Sequence, residues 1–173
     1  MQERLTKREK EVLLHLMSNG RISDQEVARR LRTSRPTVYY IRKRLESKKI
    51  IKRYTTHVDF DRIGLGIQAV ILYRWKDYSK SEELQHIINF IKALPEVIAF
   101  IKGEGVGSKT DLIISFHKDL RGYEDFIRKL KYEWRDYVEN VEVFLSSVES
   151  IFKDYDLSSP AIAKIEEKII YSK

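Results

Sequence analysis

The amino-acid sequence predicts an α+β protein in which three short helices precede a β-α-β-β-α-β domain and a helical tail follows. Residues 1–58 place apolar residues at helical spacing behind capping residues. From residue 67, β-branched and aromatic runs alternate with amphipathic helices, and an isoleucine stripe follows residue 158. We therefore expect a first domain over 1–58, a linker over 59–66, a second domain over 67–152 and an extension over 153–173.

Capping signals predict where the first two helices begin. Thr6 stands three residues before Glu9, and Ser23 stands three residues before Glu26, which is the spacing of a capping box. Apolar residues at helical spacing follow each signal, and the second helix is expected to close near Leu31.

The third helix and the segment after it complete the first domain. Ser34 is its predicted cap, Pro36 lies in its first turn, and the helix is expected to run to about residue 48. Its apolar stripe consists of Val38, Ile41 and Leu45. Short strands are predicted at 50–54 and around 56–58, where they would form a wing. Three helices with a sharp second turn and a wing are the pattern of a winged helix-turn-helix domain.

The second domain has the element order of a ferredoxin-like βαββαβ fold. Strands are predicted at 67–75, 97–102, 112–116 and 141–148, and helices at 81–94 and 123 to about 137. In the tail, Ser159 and Pro160 suit a helix start, and the stripe consists of Ile162, Ile165 and Ile169. Because an isolated short helix is marginal in water, we expect the tail to dock on its own domain or on another subunit.

Charge is distributed unevenly along the chain. Residues 1–58 hold 16 Lys and Arg against 6 Asp and Glu, whereas residues 59–173 hold 17 against 20. An excess of positive charge in one segment indicates a polyanionic partner. The absence of cysteine excludes disulfides, zinc-thiolate fingers and cysteine catalysis. No apolar stretch approaches about 18 residues and the first ten residues are polar, so we expect a cytoplasmic protein without membrane contact.

The polar side of the third helix is the candidate contact with double-stranded DNA. The predicted DNA-binding residues are Ser34, Arg35, Pro36, Thr37, Tyr39, Tyr40, Lys43, Arg44 and Arg53. Arg35, in the first turn, can donate two hydrogen bonds to guanine, whereas Lys43 and Arg44 are expected to meet phosphates, which fix position without reading sequence. The alternative is that the tyrosines pack between helices and the cations are only solvated.

Residues in the first domain also carry a family pattern. They are Leu14, Asn19 to Ser23, Glu26 to Ala28, Leu31, Ser34, Val38, Arg44 to Glu46, Ile50 to Lys52, Tyr54 and Thr55. This pattern resembles the leucine-responsive regulatory protein family (Lrp/AsnC, or feast/famine regulators), and the likeness extends over roughly residues 5–150. It implies a sequence-specific transcription regulator that binds pseudo-palindromic promoter DNA. Arg32 and Lys49 depart from the family, which usually has glycine at these two turn positions.

The resemblance also implies partners other than DNA. It predicts a homo-oligomer, a dimer at least, assembled through the β-domain, and the C-terminal helix is a second candidate contact. Many members bind a small amino acid near a turn between β-domains. The candidate effector-binding residues here are Gly103, Gly105, Gly107 and Asp111. A flexible hairpin loop explains the glycines equally well.

Three alternatives stay open beside the regulator. One is a nucleoid or architectural protein that binds DNA with little sequence preference. Another is an assembly module whose winged helix no longer binds DNA. The third is an enzyme similar to siroheme decarboxylase, for which His57 is the one candidate histidine. Because the histidines lack metal-ligand spacing, we expect no enzyme, no catalytic residue, no cofactor and no metal site.

Overall fold

The protein, described here as a computed structural model, is defined over residues 4–77, 81–153, 155–156 and 158–170. The chain divides into two compact units, one formed by Met1–His57 with Lys153–Lys173 and the other by Val58–Phe152. The described helices are α1 (Lys7–Ser18), α2 (Asp24–Arg30), α3 (Arg35–Ser47), α4 (Ser81–Ala93), α5 (Leu120–Trp134) and α6 (Ser159–Ile170). The strands are β1 (Ile67–Trp75), β2 (Val97–Lys102), β3 (Asp111–His117) and β4 (Val138–Ser147). The predicted α+β class and element order are confirmed.

The first unit packs α1, α2 and α3 around one small apolar core. Its buried members are Val12, Leu16, Ile22, Val27, Ala28 and Val38. The Thr6 capping box of α1 is complete, because the Thr6 hydroxyl accepts from the Glu9 amide and the Glu9 carboxylate accepts from the Thr6 amide. These bonds satisfy two amides that the start of a helix leaves without an internal partner.

The second predicted capping box is only half formed. Ser23 Oγ accepts from the Glu26 amide at 3.1 Å, as expected. The Glu26 carboxylate, however, accepts hydrogen bonds from Arg29 and Arg30, which lower the pKa of Glu26 to about 2. The two arginines follow at i+3 and i+4 on the same helix face, so they compete for the carboxylate that a capping box would use.

The two predicted wing strands are wrong. Residues 50–58 are described, and no strand is assigned to any of them. Instead, the Tyr54 hydroxyl donates to Glu46 of α3 at 3.1 Å, which holds this segment against the helix through a side chain. A two-stranded hairpin without further strands is marginally stable, so alternating residues alone do not secure it.

Both α2 and α3 end in a Schellman motif. The amides of Arg32 and Thr33 donate to the carbonyls of Arg29 and Ala28, and the amides of Lys49 and Ile50 donate to the carbonyls of Glu46 and Leu45. Arg32 and Lys49 therefore take left-handed backbone conformations, with φ of 49° and 55°. Glycine is the usual residue at this position, because a side chain there costs roughly 1–2 kcal/mol.

The C-terminal helix joins the first unit by packing on α1. Leu14 of α1 and Ile162 of α6 line the cleft between the two helices, which has a volume of about 310 Å³. Leu14 lies beside the apolar stripe that faces the core and stays half-buried. The sequence left open whether the helix docks on its own domain or on another subunit, and in this structure it docks on its own. The predicted stripe residue Ile169 lies outside the described side chains.

The second unit is an antiparallel sheet covered on one face by helices. β1 pairs with β3 and β4, and β3 pairs with β2, which gives the order β2-β3-β1-β4 of a ferredoxin-like domain. The main core contributors are Ala69, Ile71, Tyr73 and Trp75 of β1, Ile87 and Ile91 of α4, and Phe126, Leu130 and Trp134 of α5. Residue 67 starts β1 where the sequence predicted it.

The other face of the sheet is apolar and has no described helix over it. Strand pairing places Ile114, Val70 and Phe144 in one row across the sheet. Ile101, Leu112 and Leu72 form the neighbouring row. Phe144 is 64% exposed and Ile101 is 50% exposed, while the others are partly exposed. We call these six residues the open sheet face.

The predicted linker is folded against the sheet at one point. The Phe60 ring lies 4.4 Å from the Phe116 ring, centroid to centroid, and the Gly66 amide donates to the carbonyl of Lys118. Residues 59–66 therefore belong with the second unit. Among the described residues, no helix is both long and apolar enough to cross a membrane.

Candidate nucleic-acid interface

The third helix buries one side and exposes the other, as its 100° periodicity predicts. Val38 and Leu45 are fully buried, whereas Tyr39 and Tyr40 are 47% and 71% exposed. The two tyrosine rings pack edge to face with centroids 5.7 Å apart. Because neither ring lies in the core, the tyrosines are not helix-packing residues, and their hydroxyls and ring edges are available to a partner.

The start of α3 is fixed by its cap. Ser34 Oγ accepts from the Thr37 amide at 3.2 Å and lies 2.7 Å from Thr37 Oγ1, with Pro36 in the first turn. Ser34, Pro36 and Thr37 are all exposed. Both hydroxyls are engaged with each other, so their first role is to position the helix start and the Arg35 side chain beside it.

The cations of α3 differ in whether a carboxylate already holds them. Arg35 is exposed, and within the described residues no carboxylate or hydrogen-bond acceptor contacts its guanidinium. Lys43 Nζ donates to Glu46 Oε2 at 3.0 Å, and this pairing raises the pKa of Lys43. Lys43 stays exposed, and an exposed ion pair is worth only about 0–1 kcal/mol, so a phosphate can replace the carboxylate.

Arg44 is exposed, but it also contacts the first helix. Its Nε lies 3.2 Å from Oε1 of Glu9, a residue that is only 2% exposed. The Thr6 amide and hydroxyl, together with Arg44 and Lys48, hold the pKa of Glu9 below its usual range. Arg44 thus links the third helix to the capping box of the first, a structural role beside the phosphate contact expected from the sequence.

Arg42 is a structural cation that the sequence did not single out. Its guanidinium lies 2.6 Å from Asp24, donates to the carbonyl of Ile22 at 3.1 Å and stacks 6.0 Å from the Tyr54 ring centre. These contacts join α3 to the start of α2 and to the segment after α3. A usable signal was its position at the edge of the apolar stripe, beside Val38 and Leu45, where a long side chain becomes half-buried.

Further cations lie after α3. Arg53, a predicted DNA contact, is exposed, as is its neighbour Lys52, and neither makes an ion pair with a described carboxylate. Together with Arg35 and Lys43 they give the first unit a set of exposed positive charges with few competing anions, which is what a phosphate backbone requires.

The glycine-rich loop between β2 and β3 does not offer free amides at two of its three glycines. Gly103 donates to the carbonyl of Thr110 and Gly105 donates to the carbonyl of Lys109, so both amides serve the hairpin itself. Gly107 has a φ of 63°, which glycine adopts without strain. Asp111 is buried at the start of β3. The amides of Gly103 and Gly105 thus already have partners within the hairpin, and the predicted effector contact of this loop stays a prediction.

The histidines give no sign of a catalytic or metal centre in the described chain. His117 is buried and lies 2.9 Å from Ser115 Oγ, and burial lowers its pKa, which suits a neutral core residue. His57 is exposed. No group of three His, Cys, Asp or Glu residues in the described part of the chain is arranged to hold a metal ion.

Comparisons with known proteins match both halves of this arrangement. A family model described as winged helix-turn-helix DNA-binding matches residues 5–52. The HTH-type transcriptional regulator LrpC of Bacillus subtilis (strain 168) is 27% identical over 118 residues, which cover 68% of this chain and 78% of LrpC.

Solved structures extend the likeness to the whole fold. An AsnC family transcriptional regulator from Agrobacterium tumefaciens has a TM-score of 0.77 and 16% identity, covering 88% of this chain and 96% of that one. The transcriptional regulator NMB0573 from Neisseria meningitidis, in complex with L-Met, has a TM-score of 0.73 and 21% identity, covering 89% and 96%. At these identities the structures establish a shared fold.

Proposed function

We propose that this chain is a DNA-binding transcription regulator of the Lrp/AsnC type, which acts as a homo-oligomer whose α3 helices read promoter DNA by sequence. The observation that carries the proposal is the exposed side of α3, where Arg35, Tyr39, Tyr40 and Lys43 are exposed while Val38 and Leu45 are fully buried. A major groove admits a helix of this kind, and side chains in its first turns reach base edges.

The chemistry of these side chains supports sequence-specific reading. Arg35 presents a guanidinium without a competing carboxylate, which suits the two acceptors of guanine. The exposed face of Tyr40, next to Pro36, offers apolar surface to a thymine methyl group. Lys43, Arg44 and Arg53 supply charge for phosphates, which sets affinity and orientation.

The open sheet face supports self-association of the second unit. Six apolar side chains from four strands lie on one side of the sheet, with Glu142 beside Leu72, and a monomer rarely leaves a large apolar patch in water. A second copy offers the same surface, so the two faces can pack on each other about a two-fold axis. Such a dimer would present two α3 helices to two half-sites.

Tuning by a small-molecule effector is a further part of the proposal. The Neisseria meningitidis relative binds L-Met in its crystal structure, so an amino acid is the candidate effector here. Gly107 and Asp111 stay the candidate contacts, since the amides of Gly103 and Gly105 serve the hairpin. Melting curves recorded with each amino acid test this part, and no shift with any of them would remove it.

We propose no enzymatic activity and a cytoplasmic location. The named relatives are transcription regulators, and a regulator of promoter DNA acts in the compartment that holds the DNA. A siroheme decarboxylase-like activity would need more than His57, which is exposed and belongs to no described group of His, Cys, Asp or Glu residues arranged to hold a metal ion.

Selection of bound sequences from random DNA by the full chain tests the function. We expect a recurring sequence with two related half-sites about 10–10.5 base pairs apart, or a multiple of that spacing. Equal affinity for all sequences, falling steeply with salt, would instead favour the architectural protein. Absence of DNA binding at low salt would refute both the sequence-specific regulator and the architectural protein. The remaining alternative would then be the assembly module whose winged helix no longer binds DNA.

A further inference from the structure

The helices α2 and α3 are each followed, in the turn that ends them, by a basic residue at a position where glycine is preferred. Arg32 follows the C-cap of α2, and Lys49 follows the C-cap of α3. Each has a positive φ, and each donates its amide as the left-handed residue of a Schellman motif. The first unit therefore places a long cationic side chain twice at a turn position whose left-handed backbone conformation favours glycine.

The conformation is unfavourable for these residue types. Only Ser108 and Asn140 share a positive φ among the described residues other than glycine, and asparagine tolerates it because its short side chain bonds locally. Arginine and lysine have no such compensation. A strained backbone that persists at a bulky residue indicates that the side chain serves a purpose that glycine could not serve.

Both side chains are exposed and available. In the described chain, neither Arg32 nor Lys49 forms an ion pair, a side-chain hydrogen bond or a ring contact. Neighbouring cations differ, because Arg29 and Arg30 are held by Glu26 and Lys43 is held by Glu46. The two strained residues therefore keep their full charge for a partner outside the chain.

Their positions bracket α3. Arg32 lies three residues before the first residue of α3, and Lys49 lies two residues after its last. A helix of 13 residues is about 20 Å long, so one cation lies near each end of the helix that is expected to enter the groove. The phosphate strands that border a major groove are the anions nearest to those ends.

We propose that Arg32 and Lys49 are phosphate contacts that hold the DNA backbone at the two ends of α3. The proposal rests on the proposed DNA-binding function and adds two residues to it. The competing explanation is that the cations only complement the negative ends of the α2 and α3 dipoles. The two explanations differ in what salt does to binding.

The test compares Arg32→Gly, Lys49→Gly and the double substitution in the full chain, with melting curves and DNA titrations at several salt concentrations. Each phosphate contact contributes about 0.9 to the slope of log affinity against log salt. We expect the slope to fall by about that amount per substitution and per bound subunit, with a few-fold loss of affinity at low salt. Relief of strain should raise Tm by roughly 2–4 °C per substitution.

Matched variants separate charge from backbone. Arg32→Lys and Lys49→Arg keep the cation and should keep the salt slope, whereas Arg32→Asn and Lys49→Asn remove it and should behave as the glycine variants do in DNA binding. Lys92→Ala removes one exposed positive charge from α4 in the second unit and should leave the slope unchanged.

An unchanged salt slope in the double glycine variant would overturn the proposal, whatever its Tm. A lower Tm with an unchanged slope would point to the dipole explanation. If the unaltered protein binds no DNA at all, the proposed function itself fails, which the titration of the unaltered protein reveals before any variant is compared.

Discussion

Arg35 and Lys43 share the exposed side of α3, but their chemistry fits different parts of a DNA duplex. A guanidinium donates two parallel hydrogen bonds to one guanine, while a lysine ammonium acts as a point charge. Arg35→Ala should therefore cost about 1–3 kcal/mol at one base position and relax selection there. Lys43→Ala should weaken binding to all sequences and reduce the salt slope by about 1.

Quantitative titration of the selected operator and its single-base variants measures both effects. An equal loss of affinity on every base variant for Arg35→Ala would contradict the role of Arg35 in reading one base.

Glu9 shows how one buried carboxylate stabilises the first unit. Its pKa is depressed, foremost by the Thr6 amide, so its stabilising contribution is present above the ordinary value of 4.5 and is lost as pH falls through the depressed value. Glu9→Gln should lower the free energy of unfolding by roughly 1–3 kcal/mol at pH 7. The difference from the unaltered protein should shrink as pH falls below about 4.

Denaturant unfolding between pH 3 and pH 7 measures this dependence. Glu11→Gln is the matched control, because Glu11 lies on the same helix and pairs with Arg8 at the surface, where an ion pair contributes less than about 1 kcal/mol. A Glu9→Gln loss that stays constant across the pH range would contradict the assigned charge effect.

At the scale of elements, periodicity and caps predicted most of what the structure contains. The limits of β1 and β2 agree with the sequence because clear breaks, Gly66 and Pro95, precede them. The start of α5 was placed three residues late, since Gly122 interrupts the first turn that follows its cap, Asp119. The two wing strands were wrong because strand pairing depends on a neighbouring strand, which local sequence does not report.

The candidate site was only partly predictable for the same reason. Exposure of Tyr39 and Tyr40 followed from helical spacing, because the stripe of Val38 and Leu45 fixes the buried side. The contacts of Arg42 with Asp24 and of Arg44 with Glu9 did not, because each joins residues that are far apart in sequence. Periodicity predicts which side of a helix is buried, but it does not predict which residues far apart in sequence contact each other.

Substitutions in the C-terminal helix can test whether α6 stabilises α1. Ile162 packs beside Leu14 of α1, so Ile162→Asp should lower the free energy of unfolding by about 1–2 kcal/mol and speed amide exchange in α1. Ala161→Asp introduces the same charge at an exposed position one residue earlier and is the control. Equal behaviour of the two variants in hydrogen exchange and denaturant unfolding would show that α6 does not brace α1.

At the scale of the whole molecule, the two proposed tasks, DNA binding and self-association, belong to different units. Positive charge concentrates in residues 1–58, whereas the second unit carries slightly more acidic than basic residues and an apolar sheet face. Charge of one sign suits a polyanion, and a largely apolar face suits a second copy of the chain. Affinity for DNA and self-association should therefore respond to different substitutions.

The proposed self-association through the open sheet face would link DNA binding to assembly, and Phe144 is the residue with which to test it. Phe144→Arg places a charge in the row that Phe144 shares with Val70 and Ile114 on the open sheet face, where a packed partner would leave it without solvent. We expect the unaltered 20.6 kDa chain to sediment as a dimer or larger species and Phe144→Arg to sediment as a monomer. Leu120→Arg alters an exposed apolar residue at the start of α5 and should leave the assembly intact.

Because a monomer engages one half-site, Phe144→Arg should also bind two half-sites no more tightly than one, while its affinity for a single half-site is retained. A Phe144→Arg protein that still sediments with the unaltered one would place the subunit contact elsewhere, with α6 the next surface to alter.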